Sequence, residues 1–357
     1  MPPTPPAPPT PLTPAAPTPT AGFEVLDARA IRFGGHAATG YRLLRPHAFT
    51  GDASVDRALS TFRALVLVPP GVRPETAPVV TLLQGITAPL ERSGALVGPL
   101  LDAGFGLVVF DTPLGGERRV AGGPRGGEIA ELGRRSDLPL DVAFTRRLYD
   151  AVAADFGAAL SVAADRHGLA EGRTPGGRLA LFGVSFGCLL SAFAFGRDGL
   201  GARLVGASGH PSLPAMARGF GRSAASWAKI PPALLAAAAL GRPLEGVARR
   251  LGGDAAVGTL RLAGLFVRLG RGGRALDGLD PLGFAPTVGA DRRVRLLTGE
   301  SDTVASPADT RAAAARYADG SVRVVPGLAH GWRLAGPGTF ADDCTGLILD
   351  ALADWRR

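Results

Sequence analysis

The chain has 357 residues, 46% of them apolar, enough to bury one sizeable core without a second domain. Its formal net charge is +8, but Lys229 is the single lysine among 39 basic residues and the arginines are scattered, so the charge marks no nucleic-acid surface. Cys188 and Cys344 are too few for a disulfide framework or a zinc site, and no apolar run reaches the ~18–20 residues of a membrane-spanning helix.

Residues 1–21 are mostly Pro, Thr and Ala, a composition that favours extended polyproline II and builds no core, so this segment reads as a disordered tail. It has no basic start followed by an apolar run, which leaves no export signal and points to a cytoplasmic protein. Phe23–Leu44 and Thr61–Pro69 then read as extended segments, followed by the short apolar run Val79–Gly85. Leu96, Leu100 and Leu101 lie at helical spacing before the strand-like Gly106–Asp111, which makes a strand, helix, strand unit with a parallel crossover.

Pro113–Pro139, rich in Gly and charge, reads as a long loop. Asp141 to about His167 reads as a helix with Phe144, Leu148, Val152 and Phe156 on one face. Arg178–Gly183 is the next strand and Cys188–Phe195 the helix behind it; further strands are expected at Gly201–Ser208, Val294–Glu300 and Ser321–Gly327, and a closing helix at Phe340–Trp355. This alternation predicts a mostly parallel α/β sheet flanked by helices. One insertion interrupts it: residues 211–290 carry the helical stripes Leu240, Leu244, Val247, Leu251 and Leu262, Leu265, Phe266, Leu269, and read as a helical cap between a first core part, 22–210, and a last one, 291–357. Extra core packing is the plainer reading of the same stripes.

Chemistry concentrates around FGVSFG, where Gly183 and Gly187 flank Ser185. In so glycine-rich a chain the bare Gly-x-Ser-x-Gly pattern is weak. Its setting strengthens it, because the motif begins as an apolar strand ends and a helical run follows at once. A serine at the tip of such a bend is held in a strained backbone, and the strand and helix pass too closely for a Cβ at the two flanking positions. A backbone N–H at the helix start, that of Phe186, can then face a developing oxyanion.

A serine hydroxyl needs a base. Of five histidines, His36, His47 and His167 read as surface residues, whereas His210 in ASGHP and His330 in GLAHGW each follow a predicted strand. His330 comes after the best acid, Asp302 in LTGESDTV, in the chain order Ser, Asp, His; His210 remains a rival base or a pocket residue. Glu300 and Asp111 are the competing acids. The loop LLQGIT offers the N–H of Ile86 as a second oxyanion donor, with Gln84 beside it as a possible pocket residue.

FGVSFG, LTGESDTV, GLAHGW and LLQGIT together resemble the α/β-hydrolase superfamily, in element order from about Phe23 onward. The resemblance implies an α/β-hydrolase fold with an eight-stranded, mostly parallel sheet and a cap inserted after the sixth strand. It also implies hydrolysis without metal or cofactor through an acyl-enzyme on Ser185. Gln84 departs from the histidine many relatives carry there, and the cap is unusually rich in arginine. The expected substrate is a small molecule, an ester with an apolar acyl group of small or medium size. A peptidase, amidase or acyltransferase would use the same three residues, and a catalytically silent fold acting as a binding module is the rival from another class. Oligomeric state is left open. The hydrolytic reading fails if Ser185 is buried, or if His330 faces away from it across the sheet.

Overall fold

The computed structural model describes residues 22–85, 88–113, 116, 118, 141–174, 176–227, 246, 250, 261, 264–265, 267–273, 276–330 and 340–355. The expected tail, most of the 113–139 loop, Ile86, and Leu240, Leu244, Val247, Leu251, Leu262 and Phe266 of the insertion lie outside them.

Nine strands form one sheet: β1 (Glu24–Phe33), β2 (His36–Leu44), β3 (Thr61–Leu67), β4 (Val79–Leu83), β5 (Gly106–Phe110), β6 (Leu179–Val184), β7 (Arg203–Ala207), β8 (Arg293–Ser301) and β9 (Asp319–Ala329). Their order is β1-β2-β3-β5-β4-β6-β7-β8-β9, and the six strands from β5 to β9 run parallel. About eight were expected, and the described residues form nine. Phe23–Leu44 is a hairpin, because Gly34 (φ +57°) and Gly35 (φ +85°) turn the chain back on itself. Two successive positive φ angles suit the twist of such a tight hairpin. At Gly34 a Cβ would also stand 2.4 Å from Gly94 O. Residues 211–290, expected to be inserted after the sixth strand, lie between β7 and β8.

Strand residues alternate between two apolar layers, which explains why the central runs are apolar throughout. Val79, Leu83, Val108, Phe110, Leu181 and Leu204 face one layer, packed by α3 (Val142–His167) and α4 (Phe186–Arg197). Val80, Leu82, Val109, Phe182 and Val205 face the other, packed by α2 (Gly94–Asp102) and α7 (Phe340–Ala351). Asp141 caps α3 by accepting from Phe144 N at 2.7 Å, and Gly168 ends it at φ +71°.

Two short helices escaped the periodicity reading. In α1 (Ala53–Ser60), Asp52 accepts from Ser54 N and Val55 N; in α6 (Pro307–Ala314), Ser306 accepts from Asp309 N. With eight residues each, they are too short to display a repeating stripe. From the insertion, α5 (Leu213–Trp227) is described, and Leu213, Met216, Leu265 and Leu269 join the same apolar cluster as the sheet.

Candidate active site

Ser185 directly follows β6, Asp302 follows β8 and His330 follows β9, so the carboxyl ends of three parallel strands deliver all three. Ser185 has φ 52° and ψ −117°, a conformation that non-glycine residues rarely adopt. The surroundings enforce it. A Cβ at Gly183 would lie 2.2 Å from Gly187 O, and one at Gly187 would lie 2.5 Å from Leu83 O. Only glycine fits either place, as the motif predicts. Ser185 N donates to Ala207 O at 2.9 Å, which ties the bend to β7.

Ser185 stands at the cap position of α4, but its side chain makes no capping hydrogen bond. Its Oγ lies 3.3 Å from His330 Nε2, and His330 Nδ1 lies 3.0 Å from each oxygen of Asp302. The carboxylate can only accept, so Nδ1 carries the proton and Nε2 is bare toward the hydroxyl. Val304 N and Ala305 N each donate to Asp302 Oδ1 at 2.8 Å, and Thr298 Oγ1 holds Ala305 O at 2.5 Å, which fixes the acid loop on β8. Such a line can pass a proton from the hydroxyl to the imidazole while the carboxylate stabilises the resulting cation.

The competing residues are engaged elsewhere. Glu300 Oε2 accepts from Gly327 N at 3.0 Å, and Asp111 Oδ2 accepts from Arg63 N at 3.2 Å on the far side of the sheet centre. His210 is buried and its Nδ1 accepts from Ser212 N at 3.0 Å; burial holds its pKa below the ordinary value, although nearby Asp309 and Asp280 act the other way. Gln84, also buried, gives its amide to Ser93 Oγ. Phe186 opens α4, where the first backbone N–H groups have no partner within the helix. Two of the expected surface histidines are half-buried: His167 Nε2 shares a hydrogen bond of 2.7 Å with the Tyr41 hydroxyl, and His47 Nε2 lies 3.5 Å from Asp155.

Exposure differs from expectation. Ser185 is 4% exposed, and Asp302 and the His330 ring are buried with it. Sequence reasoning also missed Ser208, a second non-glycine residue at positive φ (43°), and Phe220, whose ring lies 5.9 Å from that of His330 at 87°. Phe220 sits in an amphipathic stretch where an apolar residue reads as core, and nothing in its spacing relates it to the distant histidine.

No family model matches the sequence, and no curated protein is similar to it. Solved structures do match in shape. Acetyl xylan esterase from Paenibacillus sp. R4 has 17% identity and a TM-score of 0.51 over 92% of this chain and 89% of that one. Acetyl xylan esterase 1 from Thermoanaerobacterium sp. JW/SL YS485 has 15% identity and a TM-score of 0.52 over 92% and 87%. A cold-adapted esterase from an Arctic intertidal metagenomic library has 14% and 0.51 over 92% and 98%. With the sheet order and the strand ends, these likenesses define the architecture: the chain has the α/β-hydrolase fold.

Proposed function

We propose that the protein is a serine hydrolase of carboxylic esters. Ser185 Oγ attacks the ester carbonyl as His330 Nε2 takes its proton, and Asp302 orients and stabilises the imidazolium. The N–H of Phe186, at the start of α4, receives the oxyanion. Collapse of the tetrahedral intermediate breaks the acyl C–O bond, the alcohol leaves with the proton from His330, and water deprotonated by the same ring releases the acid. The observation that carries this reading is the continuous line from Ser185 through His330 to Asp302, starting on a strained bend that two glycines permit. Three structural neighbours are themselves named esterases, which favours ester over amide cleavage. Residues 211–290 serve as a cap, in keeping with α5 lying against the base, and the acyl group expected is small or medium and apolar.

A second reading, a silent hydrolase fold that binds without turnover, is favoured by one observation, the 4% exposure of Ser185. A fluorophosphonate probe separates the two. The hydrolase reading expects covalent labelling of the wild type, none of Ser185→Ala, and release of p-nitrophenol from p-nitrophenyl acetate by the wild type alone. A folded wild type that neither labels nor turns over the ester would leave only the silent fold.

A further inference from the structure

The insertion touches the reactive line at two neighbouring residues of α5. Gly219 packs on the acid loop so tightly that a Cβ would stand 2.1 Å from Val304 O. Val304 is also the residue whose N–H holds Asp302 Oδ1. Next in the chain, half-buried Phe220 sets its ring almost perpendicular to the imidazole of His330, with centroids 5.9 Å apart. One turn of helix therefore bears on both the acid and the base.

The hydrogen bonds of His330 run from Nδ1 to Asp302 and from Nε2 to Ser185 Oγ, and the N–H and lone pair of an imidazole both point in the plane of the ring. They resist displacement within that plane and oppose tilting out of it only weakly, because hydrogen-bond energy falls slowly for small departures from linearity. An aromatic ring at right angles supplies the missing restraint, since edge-to-face pairs have a preferred geometry. Resting on the reading of Ser185 as nucleophile, we propose that Phe220 is a positioning residue for His330: its ring holds the imidazole aligned between Ser185 and Asp302. By this route the insertion sets the rate of the chemical step.

The test compares the full-length wild type with Phe220→Ala, Phe220→Leu and Phe220→Tyr on p-nitrophenyl acetate, a substrate too small to need a long apolar wall. The expected result for Ala and Leu is about a tenfold fall in kcat, the order that one ring pair can supply, with KM changed less than about twofold. Tyr should restore kcat to within about threefold, because it keeps the ring. The rate of fluorophosphonate labelling should follow kcat. Gly219→Ala, which must push α5 away from Val304, is expected to lower kcat in the same manner while leaving residue 220 unchanged. A loss confined to KM, or an undiminished kcat in Phe220→Ala, would overturn the proposal, as would a folded Tyr variant as slow as Ala. If instead the wild type fails to label, it is the hydrolase reading that falls.

Discussion

Asp302 and Asp155 each stand against a histidine inside the fold, and their third partners set them apart. Asp302 meets His330 at 3.0 Å, and the far nitrogen of that ring faces the hydroxyl of Ser185. Asp155, in α3, lies 3.5 Å from His47 Nε2 and 2.5 Å from Arg118 Nη1, with both charged side chains wholly buried. Arg118 Nε further donates to Leu59 O at 2.7 Å, and its guanidinium lies 5.2 Å from the ring centroid of Phe62. A guanidinium keeps its proton at any ordinary pH, so the line through Asp155 can move nothing and can only hold elements together. A hydroxyl can surrender its proton, so the line through Asp302 can do work. An Asp–His pair thus acquires chemistry from its third partner and from its place at the carboxyl ends of parallel strands.

The widest separation between the two clusters should come from removing their defining partners. His330→Ala is expected to lower ester turnover by about 10³-fold or more while the unfolding midpoint in urea stays near that of the wild type. Near-normal turnover would move the base to His210. Asp155→Asn should do the reverse. It leaves a buried guanidinium without its counter-charge, at a cost of about 3–5 kcal/mol in stability. The folded fraction should still react with a fluorophosphonate at the wild-type rate. Urea unfolding monitored by circular dichroism checks the first part, and loss of labelling without loss of stability would erase the distinction drawn between the clusters.

The Ser185–Asp302–His330 site was far more legible in the sequence than the Asp155 cluster, for a physical reason. Strained bends and close approaches demand particular residues at adjacent positions, so Gly183, Ser185 and Gly187 sit within five residues and the demand is visible along the chain. Asp302 and His330 were legible because each follows an apolar run that reads as a strand. The cluster on Asp155 gathers residues from β2–α1, the β5–α3 connection and α3, and nothing local requires them; Arg118 looks like any arginine of a charged loop. The same limit hid Phe220. The hairpin at Gly34–Gly35 was legible in principle, since paired glycines between apolar stretches signal a turn, but the uninterrupted extended pattern on both sides outweighed it. Solvent exposure of Ser185 was misjudged because it depends on tertiary packing, which no strand or helix period encodes.

The smallest effect concerns a histidine with no aspartate among its hydrogen-bond partners. His167, in the last turn of α3, shares a hydrogen bond with the Tyr41 hydroxyl, and burial holds its pKa below the ordinary 6.5. As pH falls through about 6.5 the unfolded chain therefore takes up a proton before the folded protein does. The stability linked to this group is full above that pH and declines on acidification until the lower folded value is passed. The ring is only half-buried, and solvent screening keeps the contribution below about 1 kcal/mol. Comparing urea midpoints at pH 7.5 and pH 5.0, the wild type should lose slightly more stability than His167→Gln. His210, lowered in the same direction by burial, is present in both proteins and cancels from the difference. Equal losses in the two proteins would mean that the bond to Tyr41 survives protonation, with the hydroxyl turned to accept. In that event the contact would be a structural tie whose strength does not follow the titration of His167.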